Sequence, residues 1–149
     1  MKRILVATDG SPGAQAAVLD GLELASAIGA SVTFVYVRHT IPLLGSPFYE
    51  RKLSRQLRRA RAALDQALED ARQIGVDADS DISEGDVIEE ILRAAIYREA
   101  DVIVVGSRGL GAVAGAVLGS VSKALVELAP MPVLVSKTTS SRSFTMVPA

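Results

Sequence analysis

The sequence predicts an α/β domain built on a doubly wound, open parallel sheet of five strands, with helices on both faces and strand order 3-2-1-4-5. Three observations lead there. The segments Ile4 to Thr8 and Asp101 to Val105 each contain four consecutive apolar residues without polar alternation, as do strands covered on both faces. Between the strand-like segments the apolar spacing changes to three and four, the helical period. The 149 residues are 49% hydrophobic, which supports one sizeable core at close to the commonest single-domain size.

The first strand, Ile4 to Thr8, ends at Asp9, Gly10 and Ser11, where turn chemistry begins. Pro12 suits a first helical turn, and Ala14, Ala17, Val18, Gly21, Leu22, Ala25 and Ile28 repeat at helical spacing until Gly29 closes the helix. Val32 to Val37 is β-branched and aromatic, the second strand, completing a first βαβ unit. Arg38 to Pro47 reads as a loop with two prolines and a glycine. Leu53, Leu57, Ala60, Leu64, Leu68 and Ala71 then form the stripe of the longest helix, which ends near Gly75.

Val76 to Ile82 is a weaker, alternating third strand suited to a sheet edge, and Asp86 caps a helix carrying Ile88, Ile91, Leu92 and Ala95. Asp101 to Val105 is the fourth strand and Gly106 ends it. Ser120 is placed to cap a last helix with Val121, Ala124, Leu125 and Leu128 facing inward, and Pro130 stops it before the strand Pro132 to Val135. Right-handed crossovers then put a ligand at the carboxyl ends of strands one and four, on either side of a topological switch. The domain is expected over 1–137, with a polar, aperiodic tail over 138–149 that is either flexible or docked at a dimer interface.

Gly106, Ser107, Arg108 and Gly109 are followed by nine residues and then by Gly119 and Ser120. Glycines at a strand end let backbone amides approach an anion with no side chain in the way. Gly119 and Ser120 stand at a helix start, where unpaired amides and the positive dipole end favour phosphate and the Ser120 hydroxyl adds a donor. Arg108 offers a charge-assisted contact to terminal phosphates. Glycine content alone is equally consistent with a flexible loop, or with Gly111, Gly115 and Gly119 packing a helix closely. The spacing, the strand before it and the helix after it favour the phosphate cradle. Arg108 taken by itself fits a solvated loop arginine as well.

This pattern resembles that of ATP-binding universal stress proteins, which carry it after their fourth strand. The resemblance extends from Ala7, Thr8, Asp9, Gly10 and Ser11 to the last strand preceded by Pro130, Met131 and Pro132. It implies a Rossmann-like nucleotide-binding domain in which Asp9 lies at the nucleotide, Ala7 and Thr8 line it with their backbone, and the backbone of Val37 meets the adenine. The implied site is Ala7, Thr8, Asp9, Val37, Gly106, Arg108, Gly109, Gly119, Ser120 and Val121. The implied ligand is ATP, with Mg2+ or Mn2+ carried by its phosphates. The resemblance also implies homodimers through the last strand, where Val133 to Val135 is an apolar edge. For Asp9 a purely local role competes: shaping the Asp-Gly-Ser turn and capping the first helix.

Other nucleotide motifs fit less well. Gly109 to Ala114 formally match the dinucleotide fingerprint, but that motif belongs at the first strand and needs an acidic ribose ligand about 20 residues on. No Gly-Lys-Ser or Gly-Lys-Thr exists for a P-loop. The charges nearly cancel, 16 basic against 17 acidic, so no global field draws the protein to nucleic acid or membrane. The basic block Arg51, Lys52, Arg55, Arg58, Arg59 and Arg61 lacks interleaved aromatics and reads as a solvated helix face.

His39 is the only histidine and there is no cysteine, which excludes thiol chemistry and thiolate metal sites and suits the cytoplasm. The apolar run at the N-terminus is too short for an export signal and no stretch reaches the roughly 20 residues of a membrane span. Three functional readings follow. The favoured one is an ATP-binding stress-response sensor or regulatory module, because no convincing catalytic base accompanies the cradle. The others are a slow ATP hydrolase or nucleotide-transfer enzyme using Asp9 to hold a metal or orient water, and a protein-interaction domain holding another adenylate such as cyclic AMP.

Overall fold

The computed structural model describes residues 2–42, 45–107 and 118–138. Within them five strands and four helices alternate: β1 (Arg3–Ala7), α1 (Pro12–Ile28), β2 (Ser31–Arg38), α2 (Pro47–Gln73), β3 (Ala78–Glu84), α3 (Val87–Tyr97), β4 (Val102–Gly106), α4 (Ser120–Leu128) and β5 (Val133–Ser136). The strands make one parallel sheet in the order β3-β2-β1-β4-β5. This is the expected doubly wound topology. The expected tail, 138–149, falls almost wholly outside the described residues.

Strand parity divides the core into two layers. Ile4 and Val6 of β1, Val32, Phe34 and Tyr36 of β2, and Val102 and Val104 of β4 face α1 and α2. Leu5 and Ala7, Val35, and Ile103 and Val105 face α3 and α4. Burying an aliphatic or phenyl side chain of this size contributes roughly 1.5–3 kcal/mol, so the central strands must be apolar on both faces. That is why β1 and β4 read as continuous apolar runs. The outer strand β3 instead carries Asp79, Asp81 and Glu84. Arg98 donates to Asp79 and Asp81, Thr33 Oγ1 donates to Asp79 at 2.6 Å, and Arg38 donates to Glu84 at 2.9 Å.

Several boundaries differ from expectation for local reasons. The loop predicted over Arg38 to Pro47 ends at Ser46, whose side chain accepts from Phe48 N and caps α2, with Pro47 at its first position. Strand β3 starts at Ala78, because Val76 N is bonded to Ala71 O and still belongs to the end of α2. Leu128, expected inside, is 62% exposed, because α4 turns only Ser122 and Leu125 fully inward. No helix of the described residues is long and apolar enough to cross a membrane.

Candidate functional site

The carboxyl ends of the strands meet along one margin of the sheet. Ala7 pairs with Val35 and Val6 with Val104, so β1 ends between the ends of β2 and β4. Gly106 pairs with Ser136, which places β5 on the far side. This margin gathers Ala7, Thr8 and Asp9, Val37, and Gly106. Arg108 and Gly109 lie outside the described residues.

The turn after β1 is built by its own side chains. Thr8 N donates to Val35 O at 2.9 Å and extends the ladder by one residue. Gly10 N donates to Thr8 Oγ1 at 3.2 Å, and Ser11 N donates to Asp9 Oδ1 at 2.9 Å. Gly10 has φ +78, the left-handed region, and a Cβ there would lie 3.3 Å from Ala63 Cβ on α2. Ser11, not Asp9, caps α1: its Oγ accepts from Ala14 N at 3.2 Å. Locally Asp9 therefore shapes the turn and does not cap α1, and it is half-buried at the strand end.

The same margin has a charged side toward α2. Tyr36 is 9% exposed, and burial raises the pKa of its phenol. The negative charge of Asp9 raises it further and the positive charge of Arg59 opposes the rise, which sets all three groups within electrostatic reach of one another. The rest of the basic block, Arg51, Lys52, Arg55, Arg58 and Arg61, is exposed along α2, as a solvated face would be.

On the other side β4 runs closely beneath α1, and the loop after it is anchored at its base. Ser107 N donates to Ser136 O at 2.7 Å, and Ser107 O accepts from Gly119 N at 2.6 Å. These two bonds bring the start of α4 to the end of β4. Ser120 was expected to cap α4; instead Gly119 is the N-cap and Ser120 is the first helical residue. A glycine has no side chain with which to cap. The first intrahelical bond is Lys123 N to Gly119 O, so the Ser120, Val121 and Ser122 amides precede it.

The other three helices are closed at this end by Ser11, Ser46 and Asp86, each accepting from a backbone N–H of the first turn. Among the described residues α4 alone has no side-chain cap. Three amides and the positive dipole end thus stand beside the switch between β1 and β4 with no side-chain cap among the described residues. Ser120 is exposed and Val121 half-buried there. Val37 is half-buried at the end of β2 and packs on the α3 and α4 side.

Two surface hollows lie away from this margin. One of about 500 Å³ runs between α1 and α2 past Leu19, Leu22, Ala27 and Ile74, and one of about 430 Å³ lies along Arg51, Arg55 and Arg58. Neither is lined by a strand-end residue. The strand-end margin is thus set apart by its charge pattern and amide chemistry rather than by concavity. Ser107 stands in the glycine pattern, but its contact with Ser122 was not foreseen, because a buried serine three residues after Gly119 resembles any helical serine until its partner is known.

Among known proteins, a family model described as the universal stress protein family matches residues 1–137. A universal stress protein of Thermus aquaticus is 42% identical over 135 residues, spanning 89% of this chain and 96% of that protein. A solved universal stress protein of Burkholderia pseudomallei is 31% identical, with TM-score 0.76 over 90% of this chain and 94% of that one. A family protein of Arabidopsis thaliana, solved with AMP bound, shares the fold at 24% identity, with TM-score 0.71 over 94% of each chain. With the family model covering every described strand and helix, the chain belongs to the universal stress protein family.

Proposed function

We propose that the chain is an ATP-binding stress-response sensor or regulatory module of the cytoplasm, which holds an adenine nucleotide at the switch between β1 and β4. The observation that carries this reading is the uncapped start of α4. Its Ser120, Val121 and Ser122 amides offer the phosphates what Ser11, Ser46 and Asp86 give the other helix starts. Asp9, with Ala7, Thr8 and Val37 beside it, takes the nucleoside end, Gly106 and Gly119 frame the phosphates, and Arg108 and Gly109 complete the cradle. Structures of similar fold were solved with AMP, dAMP and cyclic AMP, which supports an adenylate as the ligand class.

The residues present fit a nucleotide whose phosphates carry their own divalent cation, because among the described residues the ends of β1 and β4 supply amide donors and one carboxylate, Asp9. A Mg2+ or Mn2+ ion held in this way would neutralise phosphate charge. Binding is read as regulatory because the described residues of the margin offer a phosphate-binding helix start and no evident base for activating water. Occupancy would be relayed through a homodimer formed at β5, whose Leu134 is 40% exposed at the sheet edge.

Mass spectrometry of the small molecules released on denaturing the purified protein, followed by titration with ATP, ADP, AMP and cyclic AMP, tests the reading. Recovery of an adenine nucleotide, or saturable binding of ATP, is expected. No adenine nucleotide and no binding at millimolar ATP would overturn it. Phosphate release from the wild type and from Asp9→Ala separates a sensor, expected to show none, from a slow hydrolase.

A further inference from the structure

The peptide of Ser107 joins three elements. Its N–H donates to Ser136 O on β5, and its carbonyl oxygen accepts from Gly119 N at 2.6 Å and from Ser122 Oγ at 3.3 Å. Ser122 Oγ also stands 3.0 Å from Gly119 O. Both serines are buried, Ser107 at 5% and Ser122 at 1% exposure. A hydroxyl has one proton, so Ser122 shares it between a local acceptor in its own helix and a distant one at the end of β4.

The sharing has a mechanical consequence. The Gly119 N–H is already engaged by Ser107, so among the described residues the α4 amides that precede the first intrahelical bond and can turn to a ligand are those of Ser120, Val121 and Ser122. Their direction is the direction of the helix. A helix start held to a strand by one hydrogen bond can pivot about that bond. A second bond to the same carbonyl, made three residues further on, removes the pivot, and its burial shields it from competing water.

We propose that Ser122 is a positioning residue for phosphate binding: its hydroxyl latches the first turn of α4 to the Ser107 carbonyl and so aims the free amides at the polyphosphate of an adenine nucleotide. The proposal rests on the nucleotide reading above. It assigns to the Ser122 side chain a role separate from that of its amide. A hydroxyl that merely satisfied itself on Gly119 O would give the same burial without affecting the ligand.

The test compares wild type, Ser122→Ala, Ser122→Thr and Ser122→Cys by ATP titration, by urea denaturation and by hydrogen exchange at the amides of residues 119–122. Loss of one hydrogen bond of ordinary strength is expected to weaken ATP binding by roughly tenfold in Ser122→Ala. Exchange should rise at residues 119–122 and not elsewhere, while the denaturation midpoint falls by no more than the loss of one hydrogen bond requires. Threonine should restore affinity, and cysteine, a near-isosteric but weaker donor, should fall between.

Unchanged ATP affinity in Ser122→Ala would overturn the proposal and leave the nucleotide reading standing. So would an affinity loss accompanied by a matching fall in midpoint and a general rise in exchange, since that marks a structural serine. A wild type that binds none of ATP, ADP or AMP would remove the nucleotide reading and this proposal with it.

Discussion

A Cβ on Gly106 would lie 2.5 Å from the carbonyl oxygen of Gly13. The last residue of β4 and the first turn of α1 therefore touch backbone to backbone, and the glycine that opens the candidate cradle is required by packing whether or not a phosphate binds. Gly106→Ala must push α1 away from the sheet. The expected cost is about 1–3 kcal/mol, the range for inserting a methyl into a filled site. Urea denaturation of the variant reads it, and a change below 0.5 kcal/mol, the ordinary scatter of surface substitutions, would show that the contact relaxes freely.

The turn after β1 separates structure from ligand recognition. Ser11→Ala removes the cap of α1 and should lower stability by about 1 kcal/mol. Asp9→Asn keeps an oxygen to accept from Ser11 N but removes the charge. It should remain within about 0.5 kcal/mol of wild type while ATP affinity changes. Denaturation and titration on the same two proteins give opposite orders of severity if Asp9 serves the nucleotide and Ser11 serves the helix.

At the outer strand, burial pulls the pKa of Asp79 upward, but hydrogen bonds from Thr33 and Arg98, with the charge of Arg98, outweigh it and hold the carboxyl below its usual value. A depressed folded pKa means stability that is present above the unfolded value of about 3.9 and lost as pH falls through the folded value. Wild type should therefore exceed Asp79→Asn in stability at neutral pH. Asp79 is exposed and Arg98 only part-buried, so solvent screening should keep the margin within about 1 kcal/mol. The two denaturation curves should converge as the solution is acidified below pH about 3.9; a gap that persists there would assign it to packing.

Leu134 lies 40% exposed on the edge strand β5. If two copies meet along that strand, Leu134→Lys sets a charge into the joint and should shift the sedimentation coefficient toward that of a monomer. A wild type that sediments as a monomer at all concentrations would remove the homodimer from the proposed function.

The central fold was legible because β1 and β4 are covered on both faces and leave the chain no polar alternation to show, while β2 is marked by its β-branched and aromatic residues. Pro12, Gly29 and Asp86 mark helix ends by chemistry that acts within a few residues, so they too could be read. The start of α2 was misplaced although Ser46 and Pro47 carry the same capping signal, because Phe48 at 64% exposure adds an apolar residue outside the helical stripe. Leu128 was misplaced because a short helix with four apolar positions does not reveal how few of them the sheet can cover. At the candidate site, Gly106 and Gly119 could be picked out by spacing, and Asp9 by its place at the end of the first strand together with the family resemblance. The Ser107 and Ser122 contact could not, since it depends on two segments closing over one carbonyl.

The two margins of the sheet are chemically unequal. Along β3 stand Asp79, Asp81 and Glu84, engaged by Arg98 and Arg38, whereas β5 offers Val133, Leu134 and Val135. Another chain laying a strand against β3 would have to displace ion pairs and set its backbone among carboxylates. Joining by strand addition is thus directional. A sheet receptive on both sides can recruit copies without end, as a fibre does, but one receptive on a single side is consumed when two such sides meet. Were copies to join through β5, as proposed, the acidic border would act as a terminator and end edge-to-edge growth at a closed pair.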